Sequence, residues 1–252
     1  MAGIEKIRSL ALPFVLVCLL GCSTLVAAQF GFWGGRGIQQ NEPPATELVV
    51  ARLRFSTNGR IGNMGWSHNY PDAEMNLNQF IGQTTRVNVE RMSFRIVELA
   101  SDELFSYPFA LISEPGEMEL TPKEIQNFRQ YIARGGFIVV DDFDGDWQLD
   151  NFRHELAQVF PDRELEELKI SHSVFNTFYQ IESLTTFEPY VPGDIPVFYG
   201  LRDEDGKLVV VACHNNDLMN FWDWIGQARY PLRPATEAFR MGTNFLVYAM
   251  TH

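Results

Sequence analysis

One stretch in the middle of the chain decides the fold: Gly135-Gly136-Phe137-Ile138-Val139-Val140-Asp141-Asp142-Phe143-Asp144-Gly145-Asp146. The two glycines are typical of the end of a helix. A short apolar strand follows them, and four carboxylates come where that strand must stop. Because ligands of open α/β sheets bind outside the carboxyl ends of the strands, the stretch predicts such a sheet with a charged edge at its binding side.

The elements on either side of this strand support a layered α/β fold. Thr121-Pro122-Lys123-Glu124 is a capping box with proline at the first helical position, and it predicts a helix that ends at Gly135. A second helix is predicted over residues 151–160, where Pro161 stops it. Strands alternating with helices indicate a mainly parallel sheet that is covered on both faces.

The same criteria give the other elements. Pro71 opens a helix with Asp72 and Glu74 in its first turn. Asp203-Glu204-Asp205-Gly206 is a turn signal between two strands, so an antiparallel hairpin is attached to the sheet. The remaining predicted segments are strands at residues 47–55, 93–97, 109–113 and 168–171, hairpin strands at 195–201 and 207–213, and a final helix at 236–250.

Residues 1–28 have the pattern of a signal peptide. Lys6 and Arg8 give a basic start, and the apolar run of residues 10–20 is shorter than the about 20 residues of a membrane-spanning helix. Val26-Ala27-Ala28 predicts cleavage before Gln29, whereas a lipoprotein box that ends at Cys22 is the alternative. Both interpretations predict an exported protein, either periplasmic or secreted.

Residues 29–46 are rich in Gly, Gln, Pro and Asn, which predicts a flexible arm before a single domain over residues 47–252. The formal net charge of −12 argues against nucleic acid and anionic membranes as partners. Cys213 is the one cysteine beyond the signal peptide, so we expect no disulfide within the mature chain. We also expect no membrane-spanning segment there.

The chain resembles the domain of unknown function 4159 family over roughly residues 46–252. Seven short pieces carry the resemblance: Val50–Phe55, Tyr107-Pro108-Phe109, Gly135–Asp142, Val159-Phe160-Pro161, Ser171–Phe175, Asn216-Asp217-Leu218 and Met241–Asn244. The resemblance implies a three-layer flavodoxin-like fold of the class I glutamine-amidotransferase type. It implies no activity, and it suggests a bacterial cell-envelope context.

The acidic edge is the first candidate site. An Asp-x-Asp-x-Asp pattern begins at Asp142, as in calcium-binding loops, but an EF-hand needs Gly and Glu where this chain has Trp147 and Arg153. An EF-hand is therefore excluded, and an irregular cation site stays open. The alternative is that Asp141 and Asp142 only end the strand and cap the next helix.

Two histidines extend this candidate. His172 and His214 each follow a predicted strand, and if those strands neighbour the Phe137 strand, both histidines converge with Asp142 and Asp217 on one edge. Such a set suits Zn²⁺ or another divalent metal, and it equally suits general acid–base chemistry. No local His-x-x-His spacing supports the set, and histidines bonded to carboxylates in loops are the alternative.

Nucleophilic catalysis has little support in the sequence. Amidotransferase-type enzymes place a cysteine on a sharp strand-to-helix turn, and we find no such cysteine. Cys213 lies at the end of a hairpin strand, where a buried thiol is the usual outcome. Ser113 follows a strand, but the G-x-S-x-G pattern fails at Leu111.

Three functions remain open. The first is an exported, non-catalytic domain that binds an unidentified envelope component, carbohydrate or protein, in which Trp147 and Trp222 stack on the ligand unless they pack in the core. The second is a hydrolase with a divalent metal, and the third is a scaffold that docks through Phe30, Phe32 and Trp33. The ligand-binding candidates are Asp141, Asp142, His172, His214, Asp217, Trp147 and Trp222, and the metal candidates are Asp142, His172, His214 and Asp217.

Overall fold

The computed structural model describes residues 38, 40–60, 64–187, 189 and 191–252. The predicted signal peptide and most of the predicted arm lie outside the described residues. The compact unit begins at Asn41, whose side-chain amide donates to the carbonyls of Met92 and Phe94. No helix among the described residues is both long and apolar enough to cross a membrane.

Seven strands form one sheet in the order β2-β1-β3-β4-β7-β6-β5. The strands β1, β2, β3, β4 and β7 are parallel, and β6 and β5 extend the sheet in antiparallel fashion. The parallel part has the flavodoxin-like order 2-1-3-4-5. In chain order the strands are β1 (Val50–Arg54), β2 (Phe94–Glu98), β3 (Phe109–Ser113), β4 (Phe137–Phe143), β5 (Glu166–Glu167), β6 (Val197–Arg202) and β7 (Leu208–His214).

Helices cover both faces of the sheet. One face packs against the first, fourth and fifth helices, and the other packs against the second and third. The helices are α1 (Asp72–Thr84), α2 (Pro122–Ala133), α3 (Gly145–Val159), α4 (Leu218–Asp223) and α5 (Leu232–Thr251). The predicted three-layer α/β fold with a mainly parallel sheet and an added hairpin is confirmed.

Close packing of α5 on α1 and α4 requires a glycine. A Cβ atom at Gly242 would lie 2.8 Å from Leu77 Cδ1 and 2.8 Å from Trp222 Cζ2, which are distances that packed carbon atoms do not tolerate. Two residues later, the side chain of Asn244 accepts from the amides of Phe178 and Tyr179 and donates to the carbonyl of Tyr179. The irregular segment after the 3₁₀ turn Ser173–Phe175 is thereby fixed to α5.

The bounds of several predicted elements differ from the structure, and two of these elements differ most. The strand predicted at residues 168–171 is β5, which ends at Glu167, although the Leu168 amide still donates to the carbonyl of Phe198. The helix predicted at residues 151–160 begins at Gly145. Gly145 has a φ of 66°, and the Gln148 side chain accepts from the amide of Asp144, so α3 starts directly after β4.

Candidate functional site

The parallel strands deliver their polar residues to one edge of the sheet. In this strand order the direction in which successive strands are added to the sheet reverses between β1 and β3, and sheets of this kind bind ligands at that point, outside the carboxyl ends of the strands. The loop after β1 carries His68, Glu114 follows β3, and Asp142 lies at the end of β4. Three segments that are distant in sequence therefore meet at the position where such sheets bind ligands.

His68, Glu114 and Asp142 form a compact cluster. One ligand atom from each residue lies within 4.8 Å of the other two. The Nδ1 atom of His68 pairs with Asp142 Oδ2 and lies 4.0 Å from Glu114 Oε1. The His68 side chain is 47% exposed, whereas those of Glu114 and Asp142 are 17% and 8% exposed. The carboxyl groups thus lie at the floor of the cluster and the imidazole lies at its mouth.

Asp142 is the centre of the cluster. Its φ of 64° is in the left-handed region, which aspartate tolerates better than most residues, and the register of β4 with β7 is interrupted between Val140 and Phe143. The Ser113 hydroxyl donates to Asp142 Oδ2 at 3.1 Å from the neighbouring strand β3. This local irregularity holds the carboxylate at the edge of the sheet.

Burial and the charge of Asp142 raise the pKa values of four other carboxyl groups. Burial raises the pKa of Glu114 to about 8 and that of Asp144 to about 6, and in both cases repulsion from Asp142 is the next cause. Burial and the same repulsion raise the pKa values of Asp141 and Asp217 well above the usual range. These carboxyl groups therefore hold their protons to a higher pH than ordinary carboxyl groups, because a further negative charge beside Asp142 is unfavourable.

Asp141 and Asp217 line the side of the site next to α4. Asp141 is fully buried, and its Oδ2 accepts from the Met219 amide at 2.7 Å. Its Oδ1 is buried and has no hydrogen-bond partner among the residues that the structure describes. Asp217 occupies the N-cap position of α4 and accepts from the Asn220 amide at 3.2 Å.

The charge of Asp142 favours the protonated imidazole of His68, whereas it opposes ionisation of the four carboxyl groups. The pKa of His68 is raised, chiefly by its hydrogen bond to Asp142 and against the opposing effect of burial. The Asn69 side chain next to it donates to Asn220 Oδ1 at 2.6 Å and to Asp223 Oδ2 at 3.0 Å. The loop after β1 is thereby fastened to α4 beside the site.

His214 reaches the same edge but faces the α3 layer. Its ring packs on Phe143 at 5.1 Å, and its Nε2 lies 3.1 Å from the carbonyl oxygen of Gly145. Burial lowers the pKa of this imidazole. Among the described residues, one group of three or more side chains could hold a metal ion, and it does not include His214 or Asp217.

His172 lies near the amino ends of the parallel strands, whereas Asp142 lies at their carboxyl ends. Its ring is 6.0 Å from that of Tyr248, which in turn lies 5.9 Å from the ring of Phe137 at the start of β4. The expected set of Asp142, His172, His214 and Asp217 therefore does not meet at one point. The strand β5 ends at Glu167, and the chain turns after it, since the His172 amide donates to the Lys169 carbonyl, so His172 does not lie at the end of a strand.

The two candidate tryptophans have different environments. Trp147, in the first turn of α3, is 45% exposed and has the Arg60 guanidinium 5.0 Å from its ring centroid. Trp222 is fully buried in the core between α4 and α5, so it offers no surface to a ligand. Cys213 and Ser113 are also fully buried, and burial raises the pKa of the Cys213 thiol well above its usual value.

Sequence reasoning missed His68 and Glu114 as site residues. Neither has a local motif, and the loop that carries His68 is long and polar without a metal-binding pattern. The available signal was topological. The loops after the first and third strands of a doubly wound sheet flank its switch point, so any histidine or carboxylate in them was a candidate.

Comparison with known proteins assigns the chain to a family. The family model described as domain of unknown function (DUF4159) matches residues 49–250. The chain belongs to that family. The match spans the DUF4159 domain from β1 to the last turn of α5, and it includes every residue of the cluster. A search of curated proteins finds no match to the chain.

Proposed function

We propose that this DUF4159 domain binds one divalent cation through His68, Glu114 and Asp142, and that the cation holds a ligand at the edge of the sheet. The observation that carries the proposal is the convergence of three ligand atoms within 4.8 Å from three segments that are distant in sequence. A cation at Asp142 would also relieve the repulsion that Glu114, Asp141, Asp144 and Asp217 all experience from it.

The donor set favours a transition metal. Ca²⁺ and Mg²⁺ are bound mainly by oxygen atoms, whereas an imidazole with carboxylates suits Zn²⁺ or Mn²⁺. Three protein ligands leave a coordination position for water or a ligand group. The half-exposed His68 marks the side from which that group enters.

We also propose the cellular location that the predicted signal peptide indicates: the protein is exported, and its ligand belongs to the cell envelope.

A metal-dependent hydrolase is a second candidate, because a three-ligand site with an open position is also the arrangement of catalytic zinc sites. The buried thiol of Cys213 and the buried hydroxyl of Ser113 support water rather than a side chain as the nucleophile of such a hydrolase. The scaffold alternative depends on Phe30, Phe32 and Trp33, which lie outside the described residues.

The test is titration of the purified protein with Mn²⁺ and Zn²⁺, followed by calorimetry and by thermal unfolding. We expect one ion per chain, and a rise in stability of about 2.7 kcal/mol at a free metal concentration one hundred times the Kd. Asp142→Asn should weaken binding by at least about 100-fold, since loss of supporting groups alone weakens metal sites by about 10- to 100-fold. Asparagine tolerates the left-handed backbone at this position, so the fold should persist.

Asp150→Asn is the matched control. This aspartate lies on α3 with a side chain that is 75% exposed, and the substitution removes the same charge outside the cluster. We expect its metal affinity to equal that of the wild type. Absence of binding in the wild type, or equal affinity of the Asp142→Asn and Asp150→Asn variants, would refute the proposal.

A further inference from the structure

A buried arginine lies directly behind the cluster. Arg52, in the middle of β1, is fully buried, and its Nε donates to Glu74 Oε1 on α1 at 2.6 Å. Its Nη1 donates to the carbonyl oxygens of Trp66 at 3.2 Å and His68 at 2.9 Å. One guanidinium therefore joins the central sheet, a covering helix and the loop that carries the imidazole.

The third nitrogen of Arg52 reaches the other side of the site. Its Nη2 lies 3.3 Å from the sulfur of Met219, in the first turn of α4. The backbone amide of Met219 is the group that donates to Asp141 Oδ2. The two walls of the site, the loop with His68 and the start of α4, thus contact the same buried side chain.

Burial of such a charge needs a reason. An ion pair with no exposed surface loses the hydration of both partners, and apolar replacements of such pairs are often neutral or stabilising. The Arg52–Glu74 pair is therefore a poor explanation of stability by itself. Its distinguishing feature is that the guanidinium also fixes the carbonyls at both ends of the short segment 66–68, which ends at His68 of the cluster.

We propose that Arg52 is the positioning residue of the cation site, which holds the backbone of His68 so that the imidazole meets Asp142. The inference rests on the proposed cation binding for its functional meaning. It depends on the fork shape of the guanidinium, because Nε, Nη1 and Nη2 contact three different elements. A lysine at this position would keep the charge opposite Glu74, but its single nitrogen cannot reach all three elements.

The test compares Arg52→Lys with Ile132→Ala. Ile132 lies on the buried side of α2, on the opposite face of the sheet, and its truncation should lower the unfolding temperature without touching the loop. Well below both unfolding temperatures, we expect Arg52→Lys to weaken Mn²⁺ binding by at least about tenfold. Ile132→Ala should bind Mn²⁺ like the wild type.

A second measurement does not depend on the metal. The ring ¹H–¹⁵N signals of His68, identified by their loss in His68→Gln, should move in metal-free Arg52→Lys and stay in place in Ile132→Ala. Unmoved signals or wild-type affinity in Arg52→Lys would overturn the positioning role. Absence of Mn²⁺ binding in the wild type would refute the proposed function, while displaced His68 signals in Arg52→Lys would still support the positioning role.

Should Arg52→Lys fail to fold, Glu74→Gln takes its place. Glutamine keeps an oxygen acceptor for Nε but removes the opposing charge, so it loosens Arg52 without altering the loop itself. The same two measurements apply, with smaller displacements of the His68 signals expected. A folded Glu74→Gln protein with wild-type His68 signals and wild-type Mn²⁺ affinity would contradict the inference.

Discussion

Individual residues with unusual backbone angles mark the candidate site. Non-glycine residues with positive φ include Asn69, Glu114, Asp142 and Asn215, and all four follow or end strands at the carboxyl edge of the sheet. Asparagine and aspartate adopt this conformation at little cost, whereas a glutamate such as Glu114 rarely does. Strained residues concentrate at functional sites because the surrounding structure holds them there. The backbone angles therefore indicate the same candidate site as the side chains do.

His172, near the amino ends of the parallel strands, has a structural role that depends on pH. Its Nδ1 accepts from the Val174 amide at 3.2 Å, so it caps the short 3₁₀ turn only when that nitrogen is unprotonated. Burial, helped by Arg202 and His252, lowers the pKa of this imidazole. The unfolded chain therefore binds the proton more readily, and stability falls as the pH drops through about 6.5.

We predict that His172→Asn reduces this loss of stability. The asparagine oxygen accepts the same amide hydrogen at every pH, so the variant should lose less stability than the wild type between pH 7.5 and pH 5.5. The difference should be at most about 1 kcal/mol, the usual contribution of an N-cap. Urea unfolding at both pH values measures it. His154→Asn, an exposed position on α3, is the control, and an identical pH response of wild type and His172→Asn would contradict the prediction.

At the scale of elements, local sequence signals were sufficient to predict the helices and strands wherever those signals were strong. The capping box before α2 and the strand Phe109–Ser113 appear as predicted. The helix α4 was missed because it is only six residues long and almost wholly buried, so its sequence has no amphipathic period. Its N-cap, Asp217, was instead assigned to the site.

The site itself could be predicted only in part. The acidic end of β4 could be predicted from the sequence, because an apolar run stops at four carboxylates. The partners of Asp142 depend on β1 lying between β2 and β3, an order that no local pattern encodes. His172 was also misplaced. The strand predicted at residues 168–171 ends at Glu167, and the turn that follows it leads His172 away from the carboxyl ends of the strands.

The capping box of α2 gives a prediction at this scale. The Thr121 hydroxyl accepts from the Glu124 amide, and the Thr121 amide donates to Glu124 Oε2 at 2.8 Å. We expect Thr121→Ala to lower the free energy of unfolding by about 1 kcal/mol and Thr121→Ser to restore most of it. Denaturant titration measures both changes.

Thr84→Ala is the control for that experiment. Thr84 is also an exposed threonine, but it lies at the end of α1 and donates only to the Phe80 carbonyl of its own helix. Surface substitutions of this kind usually change stability by less than about 0.5 kcal/mol. An equal effect of Thr84→Ala and Thr121→Ala would show that the box adds nothing.

At the scale of the whole molecule, the central sheet and the cation site should be thermodynamically linked. Cys213 lies fully buried in β7, between β4 and β6, and burial keeps its thiol protonated. Since only the thiolate reacts with alkylating agents, modification of Cys213 requires the sheet to open. The labelling rate of this thiol therefore reports the population of opened molecules.

We predict that a bound cation slows this labelling by a factor of one plus the ratio of the free cation concentration to the Kd. At a free Mn²⁺ concentration of one hundred times the Kd, the rate should fall about 100-fold, because binding to the native state alone stabilises it by that factor. Mass spectrometry of the Cys213 peptide after iodoacetamide treatment gives the rate. Asp142→Asn should show no protection by Mn²⁺. Rapid labelling that Mn²⁺ leaves unchanged would mean that the β6–β7 hairpin opens on its own, independently of the edge that holds the site.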